Sequence, residues 1–391
     1  MKKELKSGNL FDYLAWRGDV PFSADAFNEV DNLILAELAY TDFEGIVPAD
    51  GEPVSIRDAC RMFFSCHTAE EILADKSFTA KAALLLPDMA EGERFRDTRL
   101  CFYRARRSME EGMQFAAVTF LLADGTVVAA FRGTDGTLAG WKEDFRFSYL
   151  SGTEGQQMAA EYLSMVGLRT GGAPLRVTGH SKGGNLAVYA AACCDPRVQE
   201  KMTEIWTNDG PGFRPEFLEM DGYRKIRSRI SFIIPENCLF GMLLEHNTEP
   251  RVIQSSASGW VQHDGFTWQV MRDRFVPGKL TSTSEVVKRS LKDWLNQMDD
   301  QARKDMTETL FTLLESTGAD TIDGMEEQRL KTVLGIMNTA MEMPREEKNE
   351  MAGFMNQLKE SGKQAAADYL QSLAAEKIHS LFNRGGSSRD E

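Results

Sequence analysis

The segment from Leu175 to Cys194 constrains the fold of this chain more than any other. It reads LRVT, then GHSKGG, then NLAVYAAACC. Leu175 to Thr178 is a short β-type run, and Asn185 to Cys194 is a small apolar stretch that suits a helix buried against a sheet. A strand that passes through a glycine-rich turn straight into a helix is half of a βαβ unit, and such units build parallel sheets faced by helices. The flanking patterns agree. Phe115 to Leu122 reads as a strand, Asp124-Gly125 as a hairpin turn, and Val127 to Phe131 as the returning strand. Gly155 to Leu168 reads as a helix stopped by Gly171-Gly172-Ala173-Pro174, and Glu204 to Thr207 and Arg229 to Ile234 read as two further strands. This alternation predicts an α/β fold with a mainly parallel central sheet.

Outside that region the texture differs. Phe27 to Leu38, Ile56 to Phe64, Ala69 to Leu73 and Lys81 to Met89 read as helices, so residues 1–110 are expected to form a helical segment packed on a core spanning 111–277. Residues 283–383 lack strand signals and carry amphipathic patterns such as SEVVKRSLKDWLNQM, which predicts a helical C-terminal subdomain over 278–383 and a disordered tail over 384–391. Methionines at 298, 306, 325, 337, 341, 343, 351 and 355 suit either a methionine-filled helical core or a cover over an apolar groove.

Composition excludes several classes. With 42% hydrophobic and 27% charged residues the chain is globular in character, and a net charge of −14 argues against nucleic acid as a partner. No run of about 18 apolar residues occurs, so no integral membrane segment is expected. The opening MKKELKSGNLFDYLAW has no apolar signal core, which makes cytoplasmic location the expectation. Six cysteines without a C-x-x-C pair predict reduced thiols and no metal site. Oligomeric state leaves no mark in the sequence.

Gly179-His180-Ser181-Lys182-Gly183 matches G-x-S-x-G, a turn that lifts a serine hydroxyl out of the sheet as a nucleophile. Glycines two residues before and after Ser181 remove clashing Cβ atoms, and the backbone N–H of Lys182 at the start of the helix faces a developing oxyanion. A second donor is expected at an earlier strand end, where Phe131-Arg132-Gly133-Thr134-Asp135 places Thr134; the alternative is a simple turn with Asp135 as a helix cap. A serine nucleophile needs a histidine to take its proton. Of His67, His180, His246, His263 and His379, the order serine, acid, histidine retains His263 and His246, with His263 favoured by its loop setting.

Two segments resemble the paired motifs of class 3 (triacylglycerol-type) lipases: FRGTDGTLAGWKEDF and VTGHSKGGNLAVYAA. NLFDYLAWRGDVPF, NDGPGF and QHDGFTWQV are more similar to a bacterial branch of lipase-like α/β-hydrolases, the Mbeg-like family, and the resemblance covers roughly residues 8–275. It implies an α/β-hydrolase fold, Thr134 and Lys182 as oxyanion donors, and Ser181 as nucleophile of an ester hydrolase that needs no cofactor. The implied substrate is a small-molecule or lipid ester. Lysine after the serine departs from the usual leucine. The resemblance also puts Cys238 where the lipase aspartate belongs, which leaves the acid open between Glu236, two residues earlier, Asp209, after the preceding strand, and some other group or none. Thioester hydrolysis or acyl transfer would use the same groups, and a non-catalytic binding protein on this fold is the competing reading.

Overall fold

Runs of β-branched and small apolar residues form strands here because both of their faces find cover. The computed structural model of the chain describes residues 7–74, 79–108, 113–134, 138–238, 240–281, 284 and 299–315. Eight strands form one sheet in the order of the chain: β1 (Val54–Ser55), β2 (Arg99–Ser108), β3 (Met113–Leu121), β4 (Val127–Phe131), β5 (Leu175–His180), β6 (Met202–Asn208), β7 (Ile230–Pro235) and β8 (Arg251–Ile253). Strands β1 to β4 pair antiparallel and β4 to β8 pair parallel. A small hairpin of β9 (Val270–Met271) and β10 (Arg274–Phe275) stands apart. The protein is thus mixed α/β with a mostly parallel central sheet.

The period-two alternation of the strands divides the core into two layers. Phe115, Ala117, Val127, Ala129, Phe131 and Val177 face one side. There they pack on α7 (Glu154–Arg169) and α8 (Lys182–Cys193), through residues such as Tyr162, Leu163, Leu186 and Ala190. Val118, Phe120, Val128 and Ala130 face the other side, against Leu33, Ile34, Leu38 and Trp268. The helices of this second layer lie at the N-terminal end: α1 (Leu10–Arg17), α2 (Glu29–Leu38), α3 (Ile56–Cys66), α4 (Ala69–Ala74) and α5 (Leu85–Glu91). Among the described residues the remaining α-helices are α6 (Leu138–Arg146), which lies with α7 between β4 and β5, α9 (Pro196–Gln199), α10 (Pro215–Leu218), α11 (Asp221–Ile226) and α12 (Asp300–Glu315).

Local chemistry starts the key helices. Asn9 and Asn28 close capping boxes with Asp12 and Asp31 on α1 and α2, and Thr153 does so with Gln156 on α7. Asp31 serves twice. Its carboxylate also takes a bidentate pair from Arg94, at 2.5 and 2.7 Å, with both side chains wholly buried. Arg94 spends its other donors on the carbonyls of Val20, Asp25 and Ala26. A planar five-donor fork suits that task, and losing it would strand a buried carboxylate.

Strands β1 and β2 precede residue 111, so the N-terminal stretch is not wholly helical and the sheet draws on it. The outer half of β2, Arg104 to Ser108, carries charge on an edge, which hides the apolar alternation that marks the other strands. The C-terminal helices expected over 278–383 and the tail over 384–391 lie outside the described residues, apart from 278–281, 284 and α12. Among the described residues no helix is long and apolar enough to cross a membrane. No group of three His, Cys, Asp or Glu side chains among them could hold a metal ion, and the six cysteines are unpaired.

Candidate active site

The turn between β5 and α8 holds Ser181 in a backbone conformation unusual for a residue with a side chain. Ser181 adopts φ 56° and ψ −132°, a conformation that L-residues avoid and that costs on the order of 1–3 kcal/mol unless its surroundings enforce it. The enforcement is visible. The Ser181 N–H donates to the Asn208 carbonyl at 2.9 Å, and the Ser181 carbonyl accepts from Gly184 N–H at 2.9 Å. A Cβ on Gly179 would fall 2.1 Å from the Gly183 backbone, and one on Gly183 would fall 2.1 Å from the Phe131 carbonyl oxygen. Only glycine fits at either position.

Three loops at the carboxyl ends of the strands bring polar side chains to this turn. His263 ends a short 3-10 helix, Gly259–His263, and its Nε2 lies 2.9 Å from Ser181 Oγ. Its Nδ1 lies 2.6 Å from Asp209 Oδ2. A neutral imidazole with its proton on Nδ1 satisfies both contacts, donating to Asp209 and accepting from Ser181. Asp209 follows β6 with a left-handed φ of 51°, a conformation that aspartate tolerates better than most residues. It is wholly buried, and its other oxygen, Oδ1, accepts from Gly241 N–H at 3.1 Å and from the Cys238 thiol at 2.8 Å. Burial, with the Asp209 charge added, pushes the Cys238 thiol well above its ordinary range, so Cys238 stays a donor.

The histidine loop is fastened from behind. His180 is buried, and burial together with neighbouring His263 holds its imidazole well below the ordinary value and therefore neutral. Its Nε2 donates to the His263 carbonyl at 2.8 Å, while Nδ1 accepts from the Tyr40 hydroxyl at 3.1 Å. Trp268 Nε1 donates to the neighbouring Gln262 carbonyl at 2.9 Å. Glu37, whose carboxyl is pushed up by burial and by Asp264, stands 3.5 Å from His180 Nδ1. Asn32 donates to Asn208 Oδ1 at 3.0 Å and accepts from Thr178. The polar residues of α2 and of the turn after it thus reach through the second layer to the strand ends that frame Ser181.

Thr134 follows β4 and is 5% exposed. Its hydroxyl donates to Asp144 Oδ2 on α6 at 2.8 Å. Asp144 is partly buried as a residue. Its Oδ1 is nevertheless enclosed and has no hydrogen-bond partner among the described residues. Burial raises its carboxyl to about 7, against the opposing pull of Lys182 and of the Thr134 hydrogen bond. Lys182 opens α8, so its backbone N–H is one of the first-turn donors that have no acceptor within the helix. Its side chain turns inward, where Nζ donates to Glu143 Oε2 at 3.0 Å and to the Gln114 carbonyl at 2.8 Å.

The structure therefore brings Ser181, His263 and Asp209 into one hydrogen-bonded chain, with Lys182 next to the serine and Thr134 at the adjoining end of β4. Of the two open carboxylates, Asp209 is the one on His263. Glu236 stands elsewhere: its Oε1 accepts from Lys279 N–H at 3.2 Å and its carbonyl from Thr281 N–H at 3.0 Å. His246 instead stacks on Phe232, with ring centroids 4.0 Å apart. Cys238, where the resemblance expects an aspartate, lies beside Asp209 and donates its thiol to Oδ1. Asp144, Glu143 and Tyr40 enter the site without a sequence signal of their own, because their spacing to Thr134, Lys182 and His180 has meaning only after folding.

A hydroxyl hydrogen-bonded to an imidazole that is itself held by a buried carboxylate can be deprotonated as it attacks an electrophilic carbon. Comparison with known proteins gives no matching curated protein. Residues 89–312 match the family model described as Mbeg1-like. That span is more than half of the chain and includes every residue of the Ser181–His263–Asp209 chain, so the protein belongs to the Mbeg1-like family.

Proposed function

We propose that this protein is a serine hydrolase of the α/β-hydrolase type, related to class 3 lipases, that cleaves carboxylic esters through an acyl-enzyme on Ser181. The observation that carries the reading is the unbroken chain from Ser181 Oγ through His263 to Asp209, at 2.9 and 2.6 Å, on a serine with φ 56°. A structural serine that merely capped α8 would have no reason to adopt that backbone, and here its side chain makes no cap hydrogen bond.

In this mechanism Ser181 Oγ attacks the ester carbonyl carbon while His263 Nε2 takes the hydroxyl proton. Asp209 holds the imidazole by its Nδ1–H and stabilises the cation that forms. The carbonyl oxygen becomes an oxyanion, and the backbone N–H groups of Lys182 and Thr134 face it. The tetrahedral adduct collapses, the C–O bond to the alcohol breaks, and His263 returns the proton to the departing oxygen. Water then attacks the acyl-serine by the same route in reverse, releasing a carboxylic acid and restoring Ser181. The chain's own side chains and water carry every proton in this sequence, and thioesters share the same route.

A panel of p-nitrophenyl esters of increasing acyl length tests the reading, with Ser181→Ala as control. Turnover by wild type and its loss, by at least about 10³-fold in Ser181→Ala, is the expected result. Equal rates for the two proteins would favour a binding protein that keeps the fold.

A further inference from the structure

We propose that the buried ion pair of Lys182 and Glu143 is a positioning device that sets the geometry of the oxyanion hole. The inference rests on the reading that Ser181 is a nucleophile and that the Lys182 and Thr134 N–H groups face its oxyanion. The two side chains are 0% and 1% exposed, and the Nζ–Oε2 distance is 3.0 Å. Burying both charges is costly, and an apolar pair of similar volume would serve the core at least as well, so stability alone does not account for the pair.

Its connections account for it. Glu143 and Asp144 are adjacent on α6. Glu143 grips the side chain of Lys182, whose N–H starts α8, and Asp144 grips the hydroxyl of Thr134. One turn of α6 therefore fastens both residues that present oxyanion donors. The fastening is itself anchored. Glu143 Oε1 accepts from the Thr153 hydroxyl and from Gly155 N–H, both at 3.0 Å, at the N-terminus of α7. Glu143 Oε2 accepts from Gln114 N–H at 3.2 Å, and Lys182 Nζ returns a hydrogen bond to the Gln114 carbonyl at 2.8 Å on β3. Three helices and one strand thus meet at a single charge pair. Lys182 Nζ is committed to Glu143 and Gln114, so its role in the reaction runs through backbone position and not through direct contact with the substrate. Lysine where the resembling lipases carry leucine then has a purpose: it exchanges a plain apolar contact for a directional link between the nucleophile helix and α6.

The test uses the full chain with p-nitrophenyl butyrate as probe substrate and measures kcat, KM and the thermal midpoint. Lys182→Met/Glu143→Gln removes both charges while the new amide oxygen keeps accepting from Thr153 and Gly155. Oxyanion donors displaced by a fraction of an ångström lose transition-state contact without losing substrate, so kcat is expected to fall roughly 10- to 100-fold with KM within about 2-fold. Glu143→Asp keeps the charge and shortens the link by one methylene. It is expected to lower kcat by about 10-fold with KM within about 2-fold in a protein that still folds, its midpoint reporting the packing cost separately, and it decides the matter if the double variant does not fold. Values of kcat within about 2-fold of wild type in the folded variants overturn the inference while leaving the Ser181 reading intact. A wild-type protein that neither turns over the ester nor reacts at Ser181 with a fluorophosphonate overturns that reading and this inference together.

Discussion

Replacing Asp209 by asparagine changes one group and leaves the shape of the site intact. The consequence follows from the hydrogen bonds already present. Oδ1 accepts from two donors, Gly241 N–H and the Cys238 thiol, whereas Oδ2 accepts from His263 Nδ1–H. The single oxygen of asparagine is held by the two donors, so its NH₂ turns toward His263. An NH₂ facing Nδ1 forces that nitrogen to accept, which moves the imidazole proton to Nε2. His263 Nε2 then donates to Ser181 and can no longer take its proton. In Ser–His–Asp sites of other proteins this tautomer error costs about 10⁴ in kcat, or about 5.4 kcal/mol at 1.36 kcal/mol per decade. We expect a fall of roughly 10³- to 10⁴-fold here, because both Oδ1 donors of this site oppose the rescue rotamer. Initial rates on p-nitrophenyl butyrate measure it, with Glu236→Gln as the companion variant expected to stay within about 2-fold of wild type. The reasoning is refuted if Asp209→Asn keeps more than about a tenth of the wild-type kcat, or if Glu236→Gln loses as much as Asp209→Asn does.

Other expectations follow from single contacts. Gly183→Ala sets a Cβ 2.1 Å from the Phe131 carbonyl, so thermal denaturation is expected to show a loss of roughly 1–3 kcal/mol or more, from strain at the β4–α8 contact. Cys238→Ser retains a donor to Asp209 and is expected to retain activity. Cys238→Ala removes the donor and is expected to lower kcat several-fold, which steady-state kinetics would register. Asp144 is expected to make stability fall with rising pH. Its folded value of about 7 exceeds the ordinary 3.8, so the folded chain holds a proton that the unfolded chain releases between those values. The destabilisation grows through that window, by about 1.36 kcal/mol per pH unit, to at most roughly 4 kcal/mol and then levels off. Asp144→Asn should flatten this slope in urea unfolding run from acid to neutral pH, and an unaltered slope would contradict it.

The strand–turn–helix around Ser181 is legible in the sequence because its signals are short-range: a β-type run, two glycines at fixed spacing and an alanine-rich helix. The parallel half of the sheet follows from the same alternation. Strand β2 is harder to read because RARRS serves solubility at an open edge rather than burial. Elimination among the five histidines narrows the partner of Ser181 to His263 and His246, and loop setting favours His263. The acid does not. Asp209 and Glu236 both follow adjacent parallel strands, β6 and β7, and sequence spacing cannot tell which carboxylate turns inward. The backbone decides. A left-handed φ at Asp209 aims its side chain at His263, while Glu236 spends its carboxylate on Lys279 N–H. Lys182 and Glu143 are 39 residues apart and meet only when folding brings both side chains to Gln114 on β3, so nothing local announces them.

The central claim is that the Ser181 hydroxyl is a nucleophile activated by His263 and Asp209. Mass spectrometry of the intact protein after reaction with a fluorophosphonate tests it most directly, followed by peptide mapping of the adduct. The account predicts one adduct on wild type, located on the peptide that carries Gly179-His180-Ser181-Lys182-Gly183, and none on Ser181→Ala. An unmodified wild-type protein, or an adduct of equal yield on Ser181→Ala, would contradict it.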